Sequence, residues 1–354
     1  MSRSLWASGT RRLPPNLPAP IWLTFWTSHR KLSKLVRAPS PLPVRAPRRW
    51  HNERAGRVTT ASKESVTRAA FEQALPALRP DIHRYCARMM GSVIDGEDIL
   101  QIACMKAFEA LERGDQVDNL RAWLLRIAHN TALDSLRARK REAAMLDETT
   151  NMPSLEAAQM AMRSDVRDSL RPFLALPPSQ RSSVIFRDVF GYTASEVADL
   201  TGASVASVKA ALHRGRAALK QSRAKAPEQV AAPLSAEERG RLSSYAEHFN
   251  ARDFDRLRDM LAAEVRLDLV SRAEAHGRKG VGNYYSNYDR VYDWLMKPGQ
   301  VEGRPAMLAF DPEDSASGPA YFILLEFSAG ELHLIRDFRY ARYAMAGAEW
   351  QRLG

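Results

Sequence analysis

The stretch NLRAWLLRIAHNTALDSLRARKR, Asn119 to Arg141, decides the fold. Its twenty-three residues contain no Gly or Pro, and Leu, Ala and Arg, all strong helix formers, dominate it. Apolar or small side chains recur at Trp123, Ile127 and Thr131, and again at Leu125, Ala128, Ala132 and Leu136. That spacing by three and four is the mark of an amphipathic helix. Arg137, Arg139, Lys140 and Arg141 crowd its C-terminal end. Cations there complement the helix dipole in solvent. Alternatively, the helix packs through Trp123 and Ile127 and lays a polar face with a basic tip against phosphates.

Charge distribution narrows where such a surface can lie. The chain has 354 residues and a formal net charge of +11, enough length for two or three domains with cores of their own. Residues 1–60 hold twelve Lys and Arg against the single acid Glu53, so they carry the whole excess. Beyond them 40 bases balance 40 acids, but residues 167–225 are at +6 and residues 226–354 at −4. A nucleic-acid surface is therefore expected mid-chain. The only cysteines, Cys86 and Cys104, sit in apolar helical surroundings and form neither a disulfide framework nor a zinc site. A reducing cytoplasmic compartment fits them, and no apolar run reaches the length of a membrane span. Residues 1–62, basic and rich in Pro, read as a disordered extension or as an upstream start that is not used. A transit peptide shares the Arg richness but not the prolines.

Upstream of the opening stretch, Phe71, Leu75, Leu78, Ile82, Tyr85 and Met89 trace one amphipathic helix that Gly91 ends. Asp95-Gly96-Glu97-Asp98 then opens a helix over 99–111, acids at its positive end. One face carries Leu100, Ala103, Ala107 and Leu111, and another Asp98, Gln101 and Met105. Gly114 closes it, and Asp118 is placed to cap the next helix.

DGEDILQIACMKAFEAL followed by NLRAWLLRIAHNTALDSLRARKR resembles region 2 of bacterial extracytoplasmic-function (group 4) RNA polymerase sigma factors. Trp123, Leu124, Ile127, Ala128, Asn130, Asp134 and Arg137 fall in register with that family, which departs from this chain at Ile102-Ala103-Cys104. The resemblance implies two partners, core RNA polymerase and promoter DNA. It assigns polymerase contact to Asp95, Asp98, Gln101 and Met105, and −10 contact to Asn130, Asp134, Arg137, Lys140 and Arg141.

Residues 143–166 hold Asp147, Glu148, Glu156 and Asp165 against Arg163 and read as an acidic linker. From Leu176 to Gln221 a helix begins at Pro177-Pro178 and ends at Gly191. Thr193 with Glu196 has capping-box spacing, Gly202 supplies a tight turn, and Ser204 opens a longer helix. That is the helix-turn-helix pattern. Val197, Leu200, Val205 and Val208 are expected to pack it, leaving Ser204, Ser207, Lys209, His213 and Arg214 toward a major groove. The stretch is similar to sigma region 4, which implies −35 contact. His213 has no partner at metal-ligand spacing.

The C-terminal third reads as two helices (237–251 and 253–262), a strand VRLDLV (265–270), a helix over 281–294, and strands over 305–310, 320–327 and 331–340. Ser328-Ala329-Gly330 is the turn between the last two. The expected form is an α+β cone with an antiparallel sheet. FNARDFDRLRDMLAAEVRLDL resembles SnoaL-like domains, some of which accompany sigma factors of this class. A small ligand of the cone is conceivable, with Asp268, His276, Tyr284 and Asp337 as candidate proton-transfer groups, although a fold alone brings no function.

The expected architecture is mainly α: region 2 over 63–142, an acidic linker over 143–166, and region 4 over 167–225. A short linker, 226–234, leads to the SnoaL-like domain, 235–354. The function that follows is promoter-specific initiation, non-enzymatic, without cofactor, metal or membrane, regulated by the cone. Two alternatives remain: a one-component helix-turn-helix regulator with a ligand-sensing cone, and a SnoaL-like cyclase or isomerase.

Overall fold

The structure, a computed structural model, describes residues 66–149, 170–223, 234–314 and 317–353. The basic extension, most of the acidic linker and nearly all of the 226–234 linker lie outside these residues. Three helices form the N-terminal lobe. Helix α1, Arg68–Met90, starts under the Thr67 hydroxyl, which accepts from the Ala70 amide, and stops at Gly91 in the left-handed region (φ 75°). Helix α2, Val93–Glu112, begins earlier than expected because Ser92 caps it, its hydroxyl accepting from the Asp95 amide. Asp95 thus falls in the first turn. Helix α3, Leu120–Thr149, is capped by the Asn119 side chain, which takes the Ala122 amide at 3.0 Å, and not by Asp118. Phe71, Ile82, Tyr85, Leu100, Ala103, Leu124 and Ala128 close the core between them.

The next lobe opens with a single turn, α4 (Arg171–Leu174), and α5 (Pro178–Val184), which runs into a π-helical turn at Ile185–Val189. Helix α6, Ala194–Thr201, carries the reciprocal Thr193–Glu196 capping box, and Gly202 turns the chain at φ 70°. Helix α7 follows from Val205 to Arg223. The helix-turn-helix does not stand apart from the first lobe. Phe186 stacks on Tyr85 with ring centroids 4.4 Å apart, and the Arg121 guanidinium reaches Asp81 at 2.9 Å and the Tyr192 hydroxyl at 2.8 Å. Buried Arg181 donates to the carbonyls of Met89, Leu174 and Leu176, sealing the end of α1.

Helices α8 (Ala236–Asn250) and α9 (Phe254–Asp259) lead into the cone. Its strands are β1 (Leu261–Leu269), β2 (Ala273–His276), β3 (Leu295–Val301), β4 (Arg304–Phe310), β5 (Tyr321–Ser328), β6 (Glu331–Asp337) and β7 (Trp350–Arg352), with α10 (Gly277–Tyr288) between β2 and β3. They lie in the order β2-β1-β6-β5-β4-β3-β7. The sheet is mixed and not wholly antiparallel as expected: β1 runs parallel to β6. The helix expected to reach Trp294 ends at Tyr288. Strands β2, β3 and β7 were not anticipated. LMKPGQV carries Pro298 and Gly299, both poor strand formers. Gly299 is required, since a Cβ there would sit 2.7 Å from the Gln351 carbonyl and 2.6 Å from Leu308.

One face of the sheet, with Met307, Ala309, Ile323, Leu325 and Ile335, is packed under α8–α10. The other, with Ala306, Leu308, Phe310, Phe322, Leu324 and Phe338, packs with the 3-10 turn Arg342–Gly347 and with Ala87, Val93 and Ile94 of the N-terminal lobe. The cone and the first lobe therefore share a core. Replacing Phe186 by Ala removes the ring that joins the first two lobes and should cost about 3–5 kcal/mol. Urea denaturation of the full chain measures it, and a loss below about 1 kcal/mol would contradict the packing of the helix-turn-helix lobe on the first lobe.

Candidate nucleic-acid interface

Helix α3 divides sharply by face. Ala128, His129 and Ala132 are buried, while Asn130, Asp134, Arg137, Lys140 and Arg141 are exposed. Asp134 and Arg137 pair at 3.0 Å, one turn apart. Arg139 turns away from this set and binds Asp95 of α2 at 2.8 Å. His129, absent from the expected site, meets the Tyr85 hydroxyl at 2.7 Å. Burial lowers its pKa to about 4, with Arg137 adding to the fall, so the imidazole is neutral and structural.

On α7, Ser204, Ser207, Lys209, His213 and Arg214 are all exposed. The Ser204 hydroxyl has local work as well, accepting from the Ser207 amide at 3.1 Å to cap the helix. Val208, Ala211 and Leu212 are buried against the lobe. Val205, expected to pack there, is instead 39% exposed. It precedes the buried stripe by one turn, at the free tip of the helix. Arg216 is held back by Asp188 at 3.0 and 2.5 Å. Among the described residues no group of three or more His, Cys, Asp or Glu side chains gathers as a metal site.

The acidic end of α2 is occupied. Arg336 on β6 binds Asp98 at 2.5 Å and Asp268 at 2.8 Å, and Arg304 on β4 approaches Asp95 at 3.5 Å. Gln101 and Met105, further along the helix, are half-buried. Deeper in, Glu97 pairs with Arg79 while accepting the Tyr343 hydroxyl at 2.9 Å. Glu302, in the β3–β4 turn at φ 50°, accepts from the Ser92 hydroxyl at 2.5 Å and the Val93 amide at 2.7 Å. The cone thus puts a carboxylate on the positive end of α2. Arg336, Arg304, Glu302 and Tyr343 were missed from sequence. Each lies some two hundred residues from its partner, and no local pattern marks such a pairing.

The cone candidates divide into three places. Tyr284 and Asp337 do come together: the Tyr284 and Tyr288 hydroxyls donate to Asp337 at 3.0 and 2.7 Å, and the Arg339 amide donates at 2.8 Å. Burial raises the Asp337 pKa and these bonds oppose the rise. Asp268 faces the N-terminal lobe through Arg336, and His276 is exposed at the end of β2.

A helix-turn-helix with its outer face free, joined to a three-helix lobe with a basic helix end, defines a sigma-70-type class of protein. The family profiles agree: Sigma-70 region 2 matches residues 76–142 and Sigma-70, region 4 matches residues 173–219. SigD of Mycobacterium bovis, an ECF RNA polymerase sigma factor, is 32% identical over 164 residues, covering 43% of this chain and 76% of that protein. The ECF RNA polymerase sigma factor SigG of Mycobacterium tuberculosis is 31% identical over 228 residues, 57% of this chain, which spans only 62% of SigG. The crystal structure of Mycobacterium tuberculosis extracytoplasmic function sigma factor SigJ is 20% identical, with a TM-score of 0.30, covering 76% of this chain and 98% of that one. The chain belongs to the extracytoplasmic-function RNA polymerase sigma factors.

Burial on docking pushes the Glu302 carboxyl up to about 7; Asp95 adds to this, while the Ser92 and Val93 hydrogen bonds and Arg304 oppose it. Burial also raises Asp98, and Asp268 to about 6, against the pull of Arg336. A carboxyl whose pKa rises on docking holds a proton in the docked form. Docking is therefore favoured by acid and weakens as pH rises through about 7. His83, buried against Tyr343 and lowered by that burial, acts oppositely below its ordinary range. From pH 6.5 to 7.5 the Glu302 share amounts to about a threefold weakening. Hydrogen exchange at the Val93 amide, corrected for intrinsic rate, should show that trend in the native chain and lose it in Glu302→Gln. An equal trend in both would assign it elsewhere.

Proposed function

We propose that this protein is a promoter-specificity subunit: it binds core RNA polymerase in the cytoplasm and directs initiation at chosen promoters. Asp95, Asp98, Gln101 and Met105 of α2 are the polymerase-binding set. Asn130, Asp134, Arg137, Lys140 and Arg141 serve the −10 element, and Ser204, Ser207, Lys209, His213 and Arg214 the −35 element. One observation carries the reading. Both DNA-facing sets are exposed, whereas part of the polymerase-facing set is taken by the cone through Arg336 and Arg304. That arrangement gives the cone a regulatory role, since Asp98 cannot serve Arg336 and polymerase together.

The proton-transfer alternative has less support, because Asp337 already accepts three hydrogen bonds and Asp268 is matched to an arginine. The one-component-regulator reading gives no use to α2.

Run-off transcription with purified full chain and core polymerase tests the assignment; no promoter-dependent transcript from any tested fragment would refute it. In a core-polymerase capture assay, Arg336→Gln should raise binding several-fold by freeing Asp98. Gln101→Ala should lower it without altering protection of the Val93 amide. Capture unchanged in both variants would remove α2 from the contact.

Arg214→Ala should lower affinity for all duplexes alike and reduce the salt slope by about one, as loss of one phosphate contact does. Binding measured from low to moderate salt checks this, and a change in sequence preference would instead make Arg214 a base reader.

A further inference from the structure

The tip of α7 is built from small side chains around one valine. From Gly202 to Ser207 six successive residues are exposed, and the side chains among them are Ala203, Ser204, Val205, Ala206 and Ser207. Ser204 is committed to its cap. The remaining tip surface is mostly small and apolar, with Val205 the only large apolar side chain on it.

Position matters as much as composition. Val205, Lys209 and His213 follow at steps of four, so they share one helix face, and all three are exposed. Helix α7 has no acid from Val205 to Arg223 and carries Lys209, Arg214, Arg216, Lys220 and Arg223. The surroundings of the valine therefore suit a polyanion. In a helix-turn-helix the N-terminal residues of the second helix meet base edges in the major groove.

Resting on the region 4 reading above, we propose that Val205 is a base-reading residue that selects a thymine in the −35 element by packing on its 5-methyl group. The thymine methyl is the apolar feature of a major-groove edge. Contact with it removes two apolar surfaces from water. A guanine or adenine edge at that place would have an acceptor stripped of water with no donor opposite, and a cytosine an unanswered amino group. The valine thus discriminates by attraction to one base and by desolvation of the others. Hydrogen-bond readout falls to Ser207, Lys209 and His213 further along.

The test uses full chain bound to core polymerase and a pool of duplexes randomised over the −35 region. Selection should return a fixed thymine at one position. Replacing that thymine by uracil removes the methyl alone and should weaken binding about fourfold, the equivalent of one buried carbon. Val205→Ala should bind thymine and uracil duplexes equally at this position, while keeping the native preference at every other. Because Val205 is exposed, an unchanged thermal unfolding curve is expected to accompany the variant. If the native protein is indifferent to uracil at every thymine, or Val205→Ala keeps the uracil penalty, the proposal is overturned. If no sequence is enriched and Arg214→Ala also leaves duplex binding unaltered, the region 4 reading fails and this proposal with it.

Discussion

Arg336 holds the architecture together at one point. Its guanidinium lies between Asp98 of the N-terminal lobe and Asp268 of the cone, with Phe338 beneath it at 5.3 Å. Burial penalises each of these charges; their mutual attraction outweighs the penalty for Arg336 and only partly counters it for the two carboxylates. Such a group is costly to leave unpaired. The same is true of Glu97, which has no exposure and needs both Arg79 and the Tyr343 hydroxyl. The docked cone therefore satisfies charges in the first lobe, and the first lobe satisfies charges in the cone. Around this polar seam, Val93 and Ile94 close the apolar face of the sheet.

The second junction is built differently. Tyr85, Phe186, Phe190, Tyr192 and His129 form one aromatic cluster between the first lobe and the helix-turn-helix, and Arg121 lies over Phe190 and Tyr192. Apolar contact and cation–π attraction dominate there, with the imidazole kept neutral by burial. Aromatic packing of this kind leaves the outward faces of α3 and α7 uninvolved, which is why both candidate DNA-facing sets stay exposed.

The features that local physics controls were legible in the sequence. The Thr193–Glu196 capping box, the Gly202 turn and the Gly91 stop all rest on neighbours within four residues, and all stand as read. The cap at Asn119 was misjudged in favour of its neighbour Asp118, and the cap at Ser92 was not anticipated, so the helix was expected to start at the acids that instead fill its first turn. In both cases the structure uses the residue whose oxygen reaches the third amide. Strand β3 was hidden because Pro298 and Gly299 weaken its local signal, while pairing with β4 and β7 on either side supplies the compensation. Val205 was misplaced because helical spacing alone cannot say whether the first turn of α7 reaches the lobe. The candidate surfaces on α2, α3 and α7 could be read from motif and face. What covers the first of them could not, since Arg336, Glu302 and Tyr343 have no local cause to lie there.

On the proposed function, the character of the cone seam acquires a reason. Residues 224–233 connect α7 to the cone region, and a tether of ten residues keeps a docking partner at roughly millimolar effective concentration. An intramolecular partner with that advantage, bound through a wholly apolar interface, would exclude polymerase altogether. The seam avoids this by placing its decisive contacts at its edge. Asp98 and Arg304 keep substantial solvent exposure, where ion pairs contribute little individually and yield to salt or to a competing cation. Glu302 and Asp268 are less exposed and burial raises both carboxyls, so their desolvation opposes docking at neutral pH. The cone is thus held by many modest contacts and resisted by the desolvation of its acids. That balance leaves the docked and released forms close enough in free energy for polymerase to choose between them.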